Sequence, residues 1–404
     1  MNVVDNRARS KAREGFPAEI GPGPGKGNRL RKAGVKPRTA SGRAITIADI
    51  AREAGVHPAS VSRALRGIGG KVSEATRQRI ERVAGEMGYL PNAVAASLRT
   101  KQSKLVGVLV PDLGNPLFGP LVTGIEVELR SRGFMCLVAH TTDEAAARNG
   151  LVAALAHRQV SGLLILAAEI GDALLDTVQR YRLPTVLVNR GFGDRRFSSV
   201  VNDDQESVRL VLDHLLALGH RRIAHVAGPA GSSTGRGRRE AFEALCRKHK
   251  LAAQVVQASA FTREAGLAAA TRLLDRSFSS TAIFAANDLI AMGVLDALRA
   301  RGLRVPGDIS VVGHNDMPLV DLIDPPLTTV RVAVEQMGRQ AAQMLLELLG
   351  APTQAPVTRM LLPQLIVRDS TAPAAPAVGA GRHGRSIASH PSEARRRSRA
   401  SSAR

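Results

Sequence analysis

Apolar residues recur at helical spacing between Thr46 and Leu65, near the start of the chain. Positions i, i+3, i+4 and i+7 of one helix face all carry apolar side chains: Ile47, Ile50, Ala51 and Ala54. Gly55 supplies the backbone freedom to end this helix. Pro58 stands where a second helix would begin, because a proline in a first turn loses no hydrogen bond. The pattern predicts two short helices joined by a tight turn.

The second of these helices has an outward face of small, hydroxyl and cationic side chains. That face consists of Ala59, Ser60, Ser62 and Arg63. Such a pair is typical of a helix-turn-helix, whose second helix enters the DNA major groove; a surface helical hairpin is the alternative. A third helix, capped by Ser73 and ended by Gly88, favours the first interpretation. Pro91 then begins an Ala-rich segment that is too short to be a stable helix alone in water.

Short apolar runs alternate with amphipathic helical patterns from Lys104 to Asp369. The runs are LVGVLV, FMCLVAH, GLLILAA, TVLVN, RIAHVAG, AIFAAND and ISVVGHND. Repeated strand-then-helix units predict parallel sheets with helices on both faces, and there are too many strands for one compact sheet. Ligands of such sheets bind at the carboxyl ends of the strands, so we expect a site among the residues that follow these runs.

The order of these elements closely resembles the lactose-repressor and galactose-repressor family of bacterial transcription regulators. The resemblance rests on the helix-turn-helix, the segment GYLPNAVAASL and the segment KLVGVLVPDLGNPLF, and it extends from about Ile45 to Asp369. It implies an α/β protein with an N-terminal helix-turn-helix domain and a two-subdomain core like that of periplasmic binding proteins. It also implies a hinge helix that orders in the minor groove, where Leu98 would wedge into a base step.

Together, pattern and resemblance predict the domain organisation. The predicted parts are a disordered basic arm (1–43), a helix-turn-helix domain (44–90), a hinge helix and linker (91–104), an effector-binding and dimerisation core (105–370) and a disordered basic tail (371–404). Within the core, subdomain 1 is expected at about 105–203 and 331–355, and subdomain 2 at about 204–330 and 356–370. The tail has no leucine heptad, which favours a dimer over a tetramer.

The net charge of +21 is concentrated outside the core. The arm carries +8, residues 44–104 carry +5 and the tail carries +6, whereas residues 105–370 carry only +2. This asymmetry indicates a nucleic-acid partner for the terminal parts and another task for the core. Cys136 and Cys246 have no metal-ligand spacing and are expected to be core thiols. The absence of a signal peptide or membrane-length apolar run predicts a soluble, cytoplasmic protein that makes no contact with a membrane.

Seven residues are the candidate effector ligands, by strand-end position and by resemblance: Asn115, Phe118, Arg190, Thr234, Arg238, Asn287 and Asn315. Asn315 replaces the Asp with which relatives commonly accept hydrogen bonds from sugar hydroxyls. The pocket would contain two arginines, Arg190 and Arg238, and one carboxylate fewer than the pocket of relatives. This favours an acidic effector such as a gluconate-like sugar acid, because the planar guanidinium group of arginine can bind a carboxylate through two hydrogen bonds. A neutral sugar or nucleoside is the alternative. Asp203 with Glu206 fits a capping box as well as ligand contact, and we expect Asp288 rather than Asn287 to cap its helix.

On the DNA side, the candidate contacts are His57, Pro58, Ala59, Ser60, Ser62, Arg63, Asn92, Ala95 and Leu98. His57 stands where the family has a capping Ser, and Pro58 and Ala59 replace long base-reading side chains. Base reading is therefore expected to depend on Ala59, Ser60 and Arg63. The predicted protein is a homodimeric repressor of a pseudo-palindromic operator, switched by its effector, without cofactor, metal or catalytic residues.

Two other functions compete with this prediction. A small-molecule-binding protein without a regulatory role would share the core but lack the helix-turn-helix. An α/β hydrolase is suggested by the sequence GSSTG from Gly231 to Gly235, which matches a nucleophile elbow. Ser233, however, follows its strand by several residues, and nothing in the sequence brings His249 or His314 beside it.

Overall fold

The computed structural model describes residues 45–65, 72–89, 103–141, 144–166, 168–169, 171–191, 196–276, 278–351 and 355–374. The chain divides into two compact units, residues 1–92 and 93–404. The predicted hinge helix with Asn92, Ala95 and Leu98 lies outside the described residues, as do the predicted basic arm and most of the tail.

The first unit contains helices α1 (Ile47–Glu53), α2 (Pro58–Ala64) and α3 (Glu74–Met87). Thr46 and Asp49 form a reciprocal capping box at the start of α1, and Gly55 follows the helix with φ of 60°. Ser73 caps α3 and Gly88 ends it in the left-handed conformation. The core of the unit is made of residues from all three helices: Ile50, Ala51, Ala54, Val61, Ala64, Ile80, Val83 and Ala84. The apolar pattern of the sequence therefore predicted this unit correctly.

The second unit begins with the elements of a first α/β layer. These are β1 (Leu105–Val110), α4 (Phe118–Ser131), β2 (Met135–His140), α5 (Ala145–His157), β3 (Gly162–Ile165), α6 (Ala173–Arg180), β4 (Thr185–Val188) and β5 (Ser198–Asn202). A second set follows: α7 (Asp204–Ala217), β6 (Arg222–Ala227), α8 (Ser233–Lys248), β7 (Ala252–Gln257), α9 (Arg263–Leu274), β8 (Ala282–Ala285), α10 (Asp288–Ala300), β9 (Ser310–Asn315) and β10 (Thr328–Arg331). The last elements are α11 (Val334–Gly350), β11 (Thr358–Leu361) and β12 (Gln364–Ile366).

The strands form two six-stranded sheets, with orders β11-β5-β4-β3-β1-β2 and β12-β10-β9-β8-β6-β7. Among the described strands only β12 runs antiparallel to its neighbour, β10. Apolar clusters cover both faces of each sheet, as parallel strands require. The predicted fold class is confirmed.

One predicted boundary within the core is wrong. We assigned residues 356–370 to the second subdomain, but β11 pairs in parallel with β5 of the first sheet, with Thr358 opposite Ser199. The chain crosses between the sheets after β5, after β10 and again between β11 and β12. The sequence did not reveal this because residues 351–367 have no helical or strand period long enough to assign them to either sheet.

Two glycines set how closely helices α4 and α11 approach each other. A Cβ on Gly124 would lie 2.1 Å from the backbone oxygen of Glu335, and one on Gly338 would lie 2.1 Å from the backbone oxygen of Leu121. No side chain fits at either position, so the close contact of these helices depends on glycine. This contact holds α11, which follows a crossing between the sheets, against the first subdomain.

Candidate functional site

Helix α2 presents the predicted DNA-reading face. Pro58 and Arg63 are exposed and Ala59, Ser60 and Ser62 are half-exposed, whereas Val61 and Ala64 are buried. The N-cap is His57, whose Nδ1 accepts a hydrogen bond of 3.2 Å from the Ala59 amide. Histidine therefore takes the structural role that we assigned to serine in the family, and its exposed Nε2 edge remains for a phosphate.

All seven predicted effector ligands line one small pocket of about 20 Å³ in the core, together with Leu117, Asn189 and Phe261. They come from the carboxyl ends of strands of both sheets, as the strand-end argument predicted. Leu117 and Phe118 are buried, and Asn115 folds its Oδ1 back onto the Leu117 amide at 3.1 Å. The pocket adjoins a cavity of about 580 Å³ that shares Asn115, Phe118, Arg190 and Phe261 with it.

Arg190 is the one cation of this inner pocket without a hydrogen-bonded partner for its side chain among the described residues. Its side chain forms no hydrogen bond or ion pair there, and its Nε is enclosed without a partner. The guanidinium lies 4.9 Å from the centre of the Phe261 ring. Burial lowers its pKa to about 10, with the carboxylate of Glu169 raising the pKa and Arg238 lowering it further.

Arg238 was predicted as an effector ligand, but its guanidinium already has protein partners. Its Nε donates to Asp204 at 2.9 Å and its terminal nitrogen donates to the backbone oxygen of Ala286 at 2.6 Å, and the residue is 3% exposed. Its charge is therefore already paired inside the protein. Asp204 had no assigned role in the sequence, where it is one of three consecutive polar residues after a strand.

One capping assignment needs correction. Asn287, not Asp288, is the N-cap of α10, because its Oδ1 accepts from the Ile290 amide at 2.9 Å. Asp288 is fully buried and accepts from the Thr329 hydroxyl and the Met317 amide, and burial raises its pKa to about 7. The sequence cannot distinguish the two because both residues are good caps in adjacent positions.

Asp203 takes the capping role that we considered alongside ligand contact. Its Oδ1 accepts from the Glu206 amide at 2.9 Å, but the Glu206 carboxylate pairs with Arg209 rather than closing the box. Asp316 pairs with Arg331 and Arg368. Neither Asp203, Asp288 nor Asp316 lines the inner pocket, so none of them offsets its positive charge there.

The groups of a hydrolase are not assembled. Ser233 begins α8 and its Oγ accepts from the Gly191 amide at 3.2 Å. His249 follows the far end of the same 16-residue helix, roughly 24 Å away at 1.5 Å per residue. His314 is fully buried beside Asn315, and burial holds its pKa well below the ordinary value, so it is a packed neutral side chain.

Sequence reasoning missed several residues of the larger cavity. Arg148 pairs with Asp172 at 3.3 Å and has an enclosed, unpartnered Nε. Arg148 lies on α5 and Asp172 is the N-cap of α6, so neither has a strand-end signal. Asn189, which lines the inner pocket and not the larger cavity, could have been found, because it ends the run TVLVN and takes the left-handed φ of 66° that asparagine tolerates. Phe261 follows β7, whose sequence AAQVVQ has no continuous apolar run, so the sequence gives no signal for it.

Three other expectations concern cysteine, metal and membrane. Cys246 is buried, with a pKa raised to about 11 by that burial, whereas Cys136 is only half-buried. In the part of the chain that the structure describes, no cluster of His, Cys, Asp or Glu has the arrangement of a metal site. None of its helices combines the length and apolarity needed to cross a membrane.

Comparison with known proteins identifies the family. Residues 46–92 match the model of the bacterial regulatory proteins, lacI family, and residues 212–371 match a periplasmic binding protein-like domain. The HTH-type transcriptional repressor CytR of Escherichia coli (strain K12) is 31% identical over 331 residues, which are 81% of this chain and 96% of CytR. This protein belongs to the lacI family. It is a transcriptional regulator and not an enzyme.

Solved structures agree with this membership. The lac repressor dimer bound to operator and the anti-inducer ONPF superposes with a TM-score of 0.75 at 28% identity, covering 82% of this chain and all of that chain. The transcriptional regulator CelR in complex with cellobiose superposes with a TM-score of 0.62 at 31% identity, covering 81% and 99%. This lacI-family regulator therefore has both parts, the DNA-binding unit and the core, of its relatives.

Proposed function

We propose that this protein binds a pseudo-palindromic operator as a homodimer, as a repressor, and that a small anionic sugar derivative in the core cleft controls this binding. Family membership and the exposed face of α2 support the DNA-binding part. The observation that carries the effector part is the guanidinium of Arg190, which has no hydrogen-bonded partner and lies in an inner pocket whose own lining contains no carboxylate. The adjoining cavity is lined by Arg148 together with the carboxylates of Asp112, Glu169 and Asp172, so the acid group of the ligand is expected at Arg190 and the rest of the ligand in that cavity.

The homodimer is supported by an uncovered apolar surface at the edge of the first sheet. Strand β2 leaves Met135, Leu137 and Val138 exposed at 73%, 37% and 39%. A parallel strand is normally covered on both faces, so an apolar edge of this kind is typical of a subunit contact. The lac repressor of the structural comparison is itself a dimer on its operator.

The chemistry of the inner pocket favours an acid over its parent sugar. Arg238 is neutralised by Asp204, so Arg190 gives the pocket one net positive charge. A carboxylate placed against Arg190 would form charge-assisted hydrogen bonds, and the amides of Asn189, Asn287 and Asn315 would serve its hydroxyl groups. The adjoining cavity of about 580 Å³ has room for a ligand larger than a monosaccharide. Gluconate and cellobionate are therefore the acids to compare, each with glucose or cellobiose.

The test measures binding of the full-length protein to a labelled fragment of its own upstream DNA, with each acid and each parent sugar added separately. We expect a saturable complex whose stability changes with an acid and not with its sugar. In Arg190→Met the acid response should weaken roughly 10- to 100-fold, which is the value of one charge-assisted interaction. Arg236→Met, which removes an exposed cation of α8, is the matched control.

Each outcome bears on a different part of the proposal. A response to the neutral sugars alone would leave the operator binding intact and refute the anionic effector. A complex that does not discriminate the upstream fragment from unrelated DNA would refute the operator assignment.

A further inference from the structure

A second cavity of about 380 Å³ lies apart from the effector cleft. It is lined by Asn189, Val201, Asn202, Asp203, Asp204, Gln205, Ser233, Thr234, Gly237, Glu240, Ala241, Ala244 and Met360. It shares only Asn189 and Thr234 with the inner effector pocket and none of its residues with the 580 Å³ cavity. Both subdomains contribute, since β5 and β11 belong to the first sheet and α8 to the second subdomain.

The polar side of this cavity is rich in acceptors. Asp204 is paired with Arg238. Asp203 uses one carboxylate oxygen to cap α7. Glu240 is exposed and forms no ion pair within the described chain. Two carboxylates therefore remain without a cationic partner at the cavity. The acceptor excess distinguishes this cavity from the inner effector pocket, which is positive.

Asn202 gives independent evidence that a donor is missing. It is 5% exposed and lines the cavity, and its Nδ2 donates to Asp204 and to the Ser207 hydroxyl at 3.2 and 2.8 Å. These two bonds fix the orientation of the amide, and its Oδ1 is left without a partner. A buried carbonyl oxygen without a donor is unfavourable, so a ligand that donates a hydrogen bond there would be stabilised.

The cavity also has an apolar part. Val201, Ala241, Ala244 and Met360 provide it, and Met360 remains 48% exposed. Acceptors and short aliphatic side chains in one cavity match a donor-bearing cation with an aliphatic chain. We propose that this cavity binds a small aliphatic ammonium ion, with the ammonium group among Asn202, Asp203 and Glu240.

The proposal is independent of the anionic effector, because the two sites share neither Glu240 nor Arg190. A ligand in this cavity would contact both subdomains beside the crossing that joins β5 to α7. It would therefore bind with different affinity to different relative positions of the subdomains, which is the condition for a regulatory ligand.

The test is isothermal titration calorimetry of the full-length protein with 1,4-diaminobutane, and with 1,4-butanediol as the uncharged ligand of similar length. At about 0.15 M salt, which screens non-specific attraction to surface carboxylates, we expect the diamine to bind at one site per chain and the diol not to bind. Glu240→Gln should weaken diamine binding about fivefold, since the group is exposed. Glu243→Gln removes the same charge from the same helix outside the cavity and should leave binding unchanged.

Steric and positional controls complete the experiment. Ala244→Leu, which suits a helix and fills the cavity mouth, should abolish diamine binding while circular dichroism shows a native melting transition. Arg190→Met should retain diamine binding, which separates this site from the effector pocket. Equal binding of diol and diamine, no binding of the diamine, or equal weakening by Glu240→Gln and Glu243→Gln would each overturn the proposal.

Discussion

Replacing Arg190 with methionine should make the ligand-free protein more stable. The guanidinium has no hydrogen-bond or ion-pair partner in the described chain, and its Nε is enclosed. A charge removed from water without a partner destabilises the folded state. Methionine keeps the aliphatic part of the side chain without the charge. The same substitution should weaken the response to an acidic effector roughly 10- to 100-fold, so stability and function should change in opposite directions.

The lowered pKa of Arg190 sets the magnitude. Its value of about 10 lies more than two units below that of an ordinary guanidinium, and one unit corresponds to about 1.4 kcal/mol. The folded state is therefore less stable by roughly 3 kcal/mol because of this charge. Loss of the cation–π contact with Phe261 would offset about 1 kcal/mol of the gain. A net increase of about 2 kcal/mol in the free energy of unfolding is expected.

The assay is urea unfolding of both proteins near neutral pH, followed by circular dichroism, without added sugar or acid. The pKa of Arg190 is lower in the folded than in the unfolded state. Its charge therefore destabilises the folded state fully below about pH 10, and this destabilisation is relieved only as the pH rises through that value. The gain should therefore be the same at pH 6 and pH 8. Arg236→Met, from an exposed position, should change stability by less than about 0.5 kcal/mol. A loss of stability in Arg190→Met would show that the cation is compensated, and the argument for an anionic ligand would fail with it.

Three further predictions concern the DNA-reading helix, the helix contact and a buried carboxyl group. Arg63→Ala should weaken operator binding roughly 10- to 100-fold in fluorescence anisotropy, and a flatter salt dependence would indicate that Arg63 contacts a phosphate; an unchanged affinity would contradict its role. Gly338→Ala should lower the free energy of unfolding by about 2–3 kcal/mol, because the new Cβ meets the Leu121 oxygen, whereas Gly150→Ala, in open space on α5, should not destabilise the protein. Asp288 should destabilise the protein increasingly as the pH rises from about 4 to about 7, since its raised pKa makes the folded state bind its proton more tightly than the unfolded state does. In urea unfolding, the free energy of unfolding of Asp288→Asn relative to that of the parent should therefore be higher at pH 8 than at pH 5. A difference that does not change with pH would contradict the raised pKa.

The sequence contained enough to predict the fold, because its signals are local and periodic. Ile50, Val61 and Ile80 lie at helical spacing and form the core of the small unit. The strand-then-helix alternation likewise required parallel sheets. The assignment of β11 failed because it depends on pairing between Thr358 and Ser199, which are far apart in sequence. Pairing of that kind leaves no periodic mark on a four-residue edge strand.

For the candidate site, the sequence predicted which residues line the pocket better than it predicted whether their charges are paired. Strand ends identified residues that do line one pocket, since the carboxyl edge of a parallel sheet brings them together. Whether an arginine there is free or paired depends on a contact such as that of Arg238 with Asp204, 34 positions earlier in the chain. Arg190 and Arg238 look alike in sequence, and only their partners distinguish an available cation from a neutralised one.

This difference between the two arginines bears on how the proposed effector would act. Arg190 follows β4 of the first sheet, and Arg238, which is paired with Asp204, lies on α8 of the second subdomain; Arg238 lowers the pKa of Arg190 across the pocket. The charge of Arg190, which lacks an ion-pair partner, would disfavour an arrangement in which the cleft is closed around it without an anion. A carboxylate placed against Arg190 would replace this penalty by attraction, so it would bind the closed arrangement more tightly than the open one. A neutral sugar could make the same hydroxyl contacts without changing the electrostatic energy of the closed arrangement. Because a ligand shifts an equilibrium only by its differential affinity for the two states, the charge of the ligand, more than its hydroxyl pattern, should determine whether it works as a switch here.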